Sequence, residues 1–262
     1  MSASSTPRRP RLLTQNSRLR PHGIFNWTLP AWAGRLPDGR TYNTCPSAGV
    51  CRHICYALHG TYRIPTVKAR HQANLRLVLD ESDAFAAAMA ADLELPVLQG
   101  KWVRIHDAGD FFTDDYTRTW LQLIRTHPAV RFYAYTKEIS RFRRLVEPDP
   151  PTNFRWVYSY GGTQDHTLDP AADRVADVFP TTEDAKDAGY HSQADCDLLA
   201  VTGPAPVGVT ANRIPAALRL QGDRSLRTWQ QHNAATARRR RHRGAPTGIG
   251  CTHAASHDRT TT

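Results

Sequence analysis

Between residues 101 and 188, short apolar runs alternate with amphipathic stretches. Lys101-Trp-Val-Arg-Ile-His106 has the length and branching of a strand and is closed by Asp107-Ala-Gly109-Asp110. From Asp114 to Thr126, Tyr116, Trp120, Leu121, Leu123 and Ile124 recur at helical spacing, with Thr113 placed to cap the first turn. The same succession then repeats. A strand over Val130–Tyr135 precedes a helix over Ser140–Val146, which Pro148, Pro150 and Pro151 stop. A third strand, Phe154–Ser159, ends at Gly161-Gly162. A fourth, Arg174–Phe179, leads into a short helix from Thr181 or Thr182 to Ala188. Upstream, Val67–Leu79 and Asp83–Leu93 carry the helical period.

Strands separated by helices build a parallel sheet. Four such units are too few to close an eight-stranded barrel, so the expected fold is α/β, an open or partial parallel barrel of βα units. Ligands of parallel α/β folds sit at the carboxyl ends of the strands. That rule selects His106, Asp107 and Asp110 after the first strand, Thr136 and Lys137 after the second, and Ser159 and Tyr160 after the third.

Charge refines the organisation. The 262 residues include 34 Lys+Arg against 24 Asp+Glu, a net +10. Residues 1–44 carry 7 Arg against 1 Asp, and residues 213–262 carry 10 Arg against 2 Asp; the stretch between is −4. The expected division is therefore a basic arm over 1–44 containing Trp27 and Trp32, an α/β core over 45–212 with a cysteine-rich loop, and a basic extension over 213–262. Arg238–Arg241, His242 and Arg243 repel one another, so the chain is expected to be disordered from about residue 235, with flexible basic ends able to contact nucleic acid or another polyanion. No apolar run reaches the ~18 residues of a membrane span, and Met1–Arg20 has no apolar secretory core. A cytoplasmic chain is expected, with no membrane association. Phosphate-binding G-x4-G-K-[ST], dinucleotide G-x-G-x2-G, G-x-S-x-G and H-E-x2-H motifs are all missing from the sequence.

In a reducing compartment clustered cysteines point to metal or catalysis rather than disulfides. Three of the five lie in Thr44-Cys45-Pro46-x2-Gly49-x-Cys51-x3-Cys55-Tyr56, spaced C-x5-C-x3-C. Pro46 and Gly49 bend the first interval, and a helical turn from Cys51 would put Cys55 on the same face. Three soft thiolates suit an iron–sulfur cluster or zinc. Zinc would need a fourth donor from His53, His59 or a distant cysteine. Cys196 and Cys251 stand apart.

Four separated motifs occur in one order: Leu12-Leu-Thr-Gln-Asn16-Ser17, the cysteine segment through Gly60-x-Tyr62, Arg104-Ile-His106-x2-Gly109-Asp110-Phe111-Phe112, and Phe132-Tyr133-Ala134-Tyr135-Thr136-Lys137. Together they resemble the phage and actinobacterial gene product 88 family over residues 12–160. More distantly, a cysteine cluster, then a strand ending in G-D-F-F, then one ending in T-K is similar to radical SAM proteins of the spore photoproduct lyase type, whose usual cysteine spacing is C-x3-C-x2-C.

That resemblance implies Cys45, Cys51 and Cys55 as ligands of a [4Fe–4S] cluster whose open iron binds S-adenosylmethionine. Tyr56, His106, Gly109 and Asp110 would line the cofactor, and Asp107, Asp110 and Lys137 would position it or a substrate, such as a nucleic acid or another macromolecule. The alternative is a non-enzymatic module, stabilised by zinc, that binds nucleic acid or a host partner.

Overall fold

The computed structural model describes residues 11–244, with side chains through residue 237. It divides into two compact units, residues 1–230 and 231–262. The first contains the sheet. Its strands are β1 (Ile24–Trp27), β4 (Trp102–Ile105), β5 (Arg131–Thr136), β6 (Phe154–Ser159), β7 (Val175–Phe179), β8 (His191–Ser192) and β9 (Val207–Thr210), in the spatial order β1-β4-β5-β6-β7-β9-β8. Every neighbouring pair is parallel. A separate antiparallel hairpin, β2 (Ala33–Arg35) with β3 (Thr41–Asn43), follows β1.

Apart from β8 at the outer edge, strands neighbour one another in chain order. A sheet wound in one direction is half of a barrel's plan, whereas a doubly wound sheet reverses about its middle. The sheet is open, as expected of a partial barrel, with β1 and β8 at its edges.

Side-chain alternation divides the strands between two cores. Val103, Ile105, Phe132 and Ala134 face α1 (Pro65–Asp80), α2 (Ser82–Leu93), α3 (Asp114–Thr126) and α4 (Ile139–Leu145), meeting Leu75, Phe85, Met89, Trp120, Ile124 and Phe142. Ile24, Tyr133, Val157 and Val207 face the other way, onto Leu19 and onto Ala200 and Val201 of α6 (Leu199–Thr202). The Thr113 hydroxyl accepts from Tyr116 N–H and caps α3, while Thr181 and Asp184 form a capping box on α5 (Thr182–Asp187).

Two expectations for the chain ends need correction. The described part of the expected arm, residues 11–44, joins the sheet: Ile24–Trp27 is an edge strand whose four residues are all buried, because Phe25 and Trp27 supply the apolar surface that covers β4's flank. Residues 235–244 are helical rather than disordered. After α7 (Pro215–Gln221), α8 runs Leu226–Gly244; its first turn is packed down by Leu226 and Trp229, and arginine extends an existing helix readily. The rest of the expected flexible ends, residues 1–10 and 245–262 with Cys251, lies outside the described residues. Among the described residues no helix is long and apolar enough to cross a membrane.

Candidate functional site

The cysteine segment lies across the carboxyl ends of the strands and is fastened there by its backbone. Gly49 and Cys51 donate to Gly161 O beyond β6 (3.0 and 3.2 Å), and Thr163 donates to Ser47 O (2.9 Å). Asp110 N–H, beyond β4, donates to Thr44 O (2.8 Å). Ser47 N–H reaches Glu138 Oε1 (2.9 Å), and Val50 N–H reaches Gln230 Oε1 in the first turn of α8 (2.9 Å). Gly161 has φ +94°, and a Cβ there would lie 2.9 Å from Leu226 Cδ1, so the close approach of loop to strand end requires glycine. Cys51 lies within a 3₁₀ turn, Val50–Ile54, that Cys55 caps, instead of a regular helix.

Beneath the loop is a cavity of about 680 Å³, within the usual range for small-molecule sites. Cys45, Cys51, Cys55, Tyr56, His106, Asp107, Gly109, Asp110 and Lys137 all line it, as does Cys196. Burial pushes all three loop thiols up, Cys55 to about 11, so they are protonated when no metal replaces the proton. Burial also works against the Lys137 ammonium, but its electrostatic interactions with Cys51, Asp110 and Asp165 outweigh that and raise its pKa. Its Nζ donates to Ser159 Oγ (2.8 Å).

The carboxylates of the wall are engaged by protein. Asp110 accepts from Phe111 N–H (2.8 Å), the Thr136 hydroxyl (2.7 Å) and Lys137 N–H (2.9 Å). Burial, then Glu138, pushes it up to about 6. Asp107 accepts from Asn16 Nδ2 (3.1 Å) and the Tyr62 hydroxyl, and lies 3.4 Å from Arg104 Nη1; its carbonyl accepts from the Tyr56 hydroxyl. Both therefore fix the wall in place. Gly109 has φ +87°, with space for a Cβ blocked by Leu29 Cβ at 2.8 Å.

His106 differs from its neighbours. Trp27 Nε1 donates to the Tyr116 hydroxyl (2.8 Å), which in turn lies 2.9 Å from His106 Nε2. Burial, then Arg104, drives the imidazole down to about 3, so it is neutral. With Tyr116 donating to Nε2, the ring proton sits on Nδ1, and Nδ1 is buried with no partner among the described residues. His106 (φ +67°) and Trp32 (φ +52°) are the non-glycine residues with left-handed backbone among those described, and both line the cavity. Strain of this kind gathers at working sites.

Sequence reasoning missed the network on the sheet's inner face. Arg104 of β4 pairs with Asp197 (3.2 Å), which also accepts from the Tyr133 (2.5 Å) and Tyr135 (3.3 Å) hydroxyls of β5. The available signal was Arg104 itself, a guanidinium in the middle of an otherwise apolar strand. Among the described residues, no three His, Cys, Asp or Glu side chains converge on a common point as a single ion requires. The three thiols line one cavity instead.

A consecutively wound parallel sheet, with a cavity lined by cysteines at the carboxyl ends of its strands, defines an α/β protein of the partial-barrel class. The family model Gene product 88 matches residues 7–243, and the chain belongs to that family. It is 29% identical over 110 residues to the Gene 88 protein of Mycobacterium phage L5 and 32% identical over 110 residues to that of Mycobacterium phage D29. Each match covers 39% of this chain and 46% and 45% of the respective relative, so the chain spans about half the length of either. No solved structure gives a significant match.

Proposed function

We propose that the protein is an iron–sulfur enzyme of radical SAM type, with Cys45, Cys51 and Cys55 holding a [4Fe–4S] cluster and the cavity beside them receiving S-adenosylmethionine and a substrate. The observation that carries this reading is the placement of three thiols in the lining of one large cavity, at the carboxyl ends of parallel strands wound in chain order. When bound, the cluster supplies the electron for reductive cleavage of S-adenosylmethionine and hence a radical for hydrogen abstraction.

The chain's own groups prepare the cavity. Lys137 offsets the charge of ligated thiolates and is itself aimed by Ser159. Asp110 fixes the backbone from Phe111 to Lys137 around the rim. Gly109 lets the backbone at the end of β4 turn tightly over Leu29. Asp107 locks Tyr56 and Tyr62 into the opposite wall.

The test is metal and sulfide content of anaerobically purified or reconstituted protein, with its visible spectrum. About four iron and four sulfide per chain are expected, as a cubane requires, and Cys51→Ala should lose them while keeping the fold. Reductant-dependent cleavage of S-adenosylmethionine by the wild type completes it. One equivalent of zinc and no iron overturns the reading in favour of a zinc-held, non-enzymatic module, and absence of both metals overturns it outright.

A further inference from the structure

The inner face of the sheet carries polar donors where a core would carry apolar side chains. Arg104 of β4 stands opposite Tyr133 of β5 in the strand register, and Tyr135, two residues on, shares their face. All three meet one carboxylate, that of Asp197. Arg104 Nη1 lies 3.2 Å from it, and the Tyr133 and Tyr135 hydroxyls donate at 2.5 and 3.3 Å. The guanidinium is itself steadied by the Tyr135 ring, 4.9 Å away. Two adjacent strands thus hold a guanidinium and two hydroxyls around a single acid group, the donor set that a bound carboxylate takes.

The occupant belongs to the chain but is attached as a ligand would be. Among the described residues, the hydrogen-bond donors to the Asp197 carboxylate are these three alone, and none comes from its own segment. Asp107, the second carboxylate on Arg104 (3.4 Å), is held independently by Asn16 and Tyr62. The segment that delivers Asp197, residues 194–197, contributes no side chain to the hydrophobic cores, and Ala194 and Asp195 are exposed. Segments with so little apolar packing lie at the low-stability end of a fold. The cradle also opens on the cavity. Arg104, Tyr135 and Asp197 line it, and the Arg104 and Asp197 side chains remain 15% and 13% exposed.

We propose that Arg104, Tyr133 and Tyr135 form a carboxylate-binding site in the cavity, that Asp197 fills it when no ligand is bound, and that a small carboxylic acid takes the place of Asp197 and frees residues 194–197 as a gate. Arg104 already balances Asp107, so a ligand carboxylate beside Asp197 would bury a third negative charge on one guanidinium. Ligand and Asp197 therefore exclude each other. Exchange of one for the other leaves the charge of the cavity unchanged, and the displaced aspartate reaches water through its exposed segment. A cavity of about 680 Å³ has room for the body of such an acid. The site shares its cavity with the iron reading but does not rest on the metal.

The test uses the full chain without metal. Binding of succinate to the wild type and to Asp197→Asn is measured by calorimetry, with phosphate and succinamide in parallel. The gate is read at Cys196, half-buried beside Asp197, as the rate at which a thiol reagent modifies it, followed by mass spectrometry of its peptide. Asp197→Asn weakens the resident competitor, so succinate should bind that variant at least about tenfold more tightly than the wild type, the weight of one hydrogen bond to a charged group. Adding Tyr135→Phe should undo part of the gain, and saturating succinate should speed Cys196 modification in the wild type. Equal affinity in folded wild type and Asp197→Asn, binding by neither, or no loss with Tyr135→Phe overturns the three-donor site. Phosphate or succinamide binding as tightly as succinate overturns the carboxylate as its ligand. An unchanged Cys196 rate in succinate-bound wild type overturns the gate, and this arm requires no variant to fold. Succinate binding in a chain that takes up no iron removes only the cluster, and the converse removes only this inference.

Discussion

A neutral imidazole in the cavity wall couples the stability of this protein to pH. His106 is driven from an ordinary 6.5 to about 3 by burial and Arg104, so below 6.5 the unfolded chain takes up a proton that the folded chain refuses. The resulting penalty grows as pH falls from 6.5 towards 3. Asp110 and Asp165, raised by burial from 3.8 to about 6, act in the opposite sense, penalising the fold as pH rises through the same interval. The overall curve therefore conceals both, and a difference measurement separates them. Asparagine tolerates the left-handed backbone of position 106, so His106→Asn should remove the titration with little strain. Between pH 4.5 and 6.5 the wild type should gain about 1–3 kcal/mol relative to the variant, read from urea unfolding. A difference independent of pH would reject the neutral buried ring.

The first turn of α8 acts as a roof for the cysteine loop. Trp229 packs with Leu226 on Val50, Gln230 takes up the Val50 N–H, and the buried carboxylate of Asp177 accepts Arg227 N–H at 3.1 Å. Trp229→Ala should cost about 3–5 kcal/mol and speed the reaction of the loop thiols with a thiol reagent. Lost stability with unchanged thiol reactivity would show that the roof does not shield them. The sequence foretold elements that carry their own signals. α3 has a cap and an apolar stripe, and its bounds and those of β6 coincide with the sequence expectation. β1 carried none: all four residues are buried, so nothing alternates, and its partner β4 lies far along the chain. β8 and β9, of two and four residues, are too short for periodicity to show. The strand-end rule did bring His106, Asp110 and Lys137 to one cavity. Asp197, by contrast, sits in a polar loop, and only the docking of α6 on the sheet gives it a role.

At the scale of the molecule, one contact shows the chain returning across the sheet. Arg104 on β4 meets Asp197, although β5, β6, β7 and β9 separate β4 from β8 in the sheet. Asp197 leads from β8 into α6, which packs on Tyr133 of β5 and Val157 of β6. Arg104→Met alone should destabilise by about 3–5 kcal/mol, because it strands a buried carboxylate, whereas Arg104→Met with Asp197→Leu should recover most of that. Equal losses in single and double variants would mean that packing, rather than charge, is what the arginine supplies. The hydrogen bond from Val50 to Gln230 joins residues 180 apart in sequence, which has a bearing on biosynthesis. On a translating ribosome the three cysteines emerge long before Gly161, Leu226 and Gln230 exist to hold and cover them, and pairings this distant form late. Until then the nascent thiols stand open to oxidants and to stray metal, so the ordered cysteine loop is a product of the finished chain.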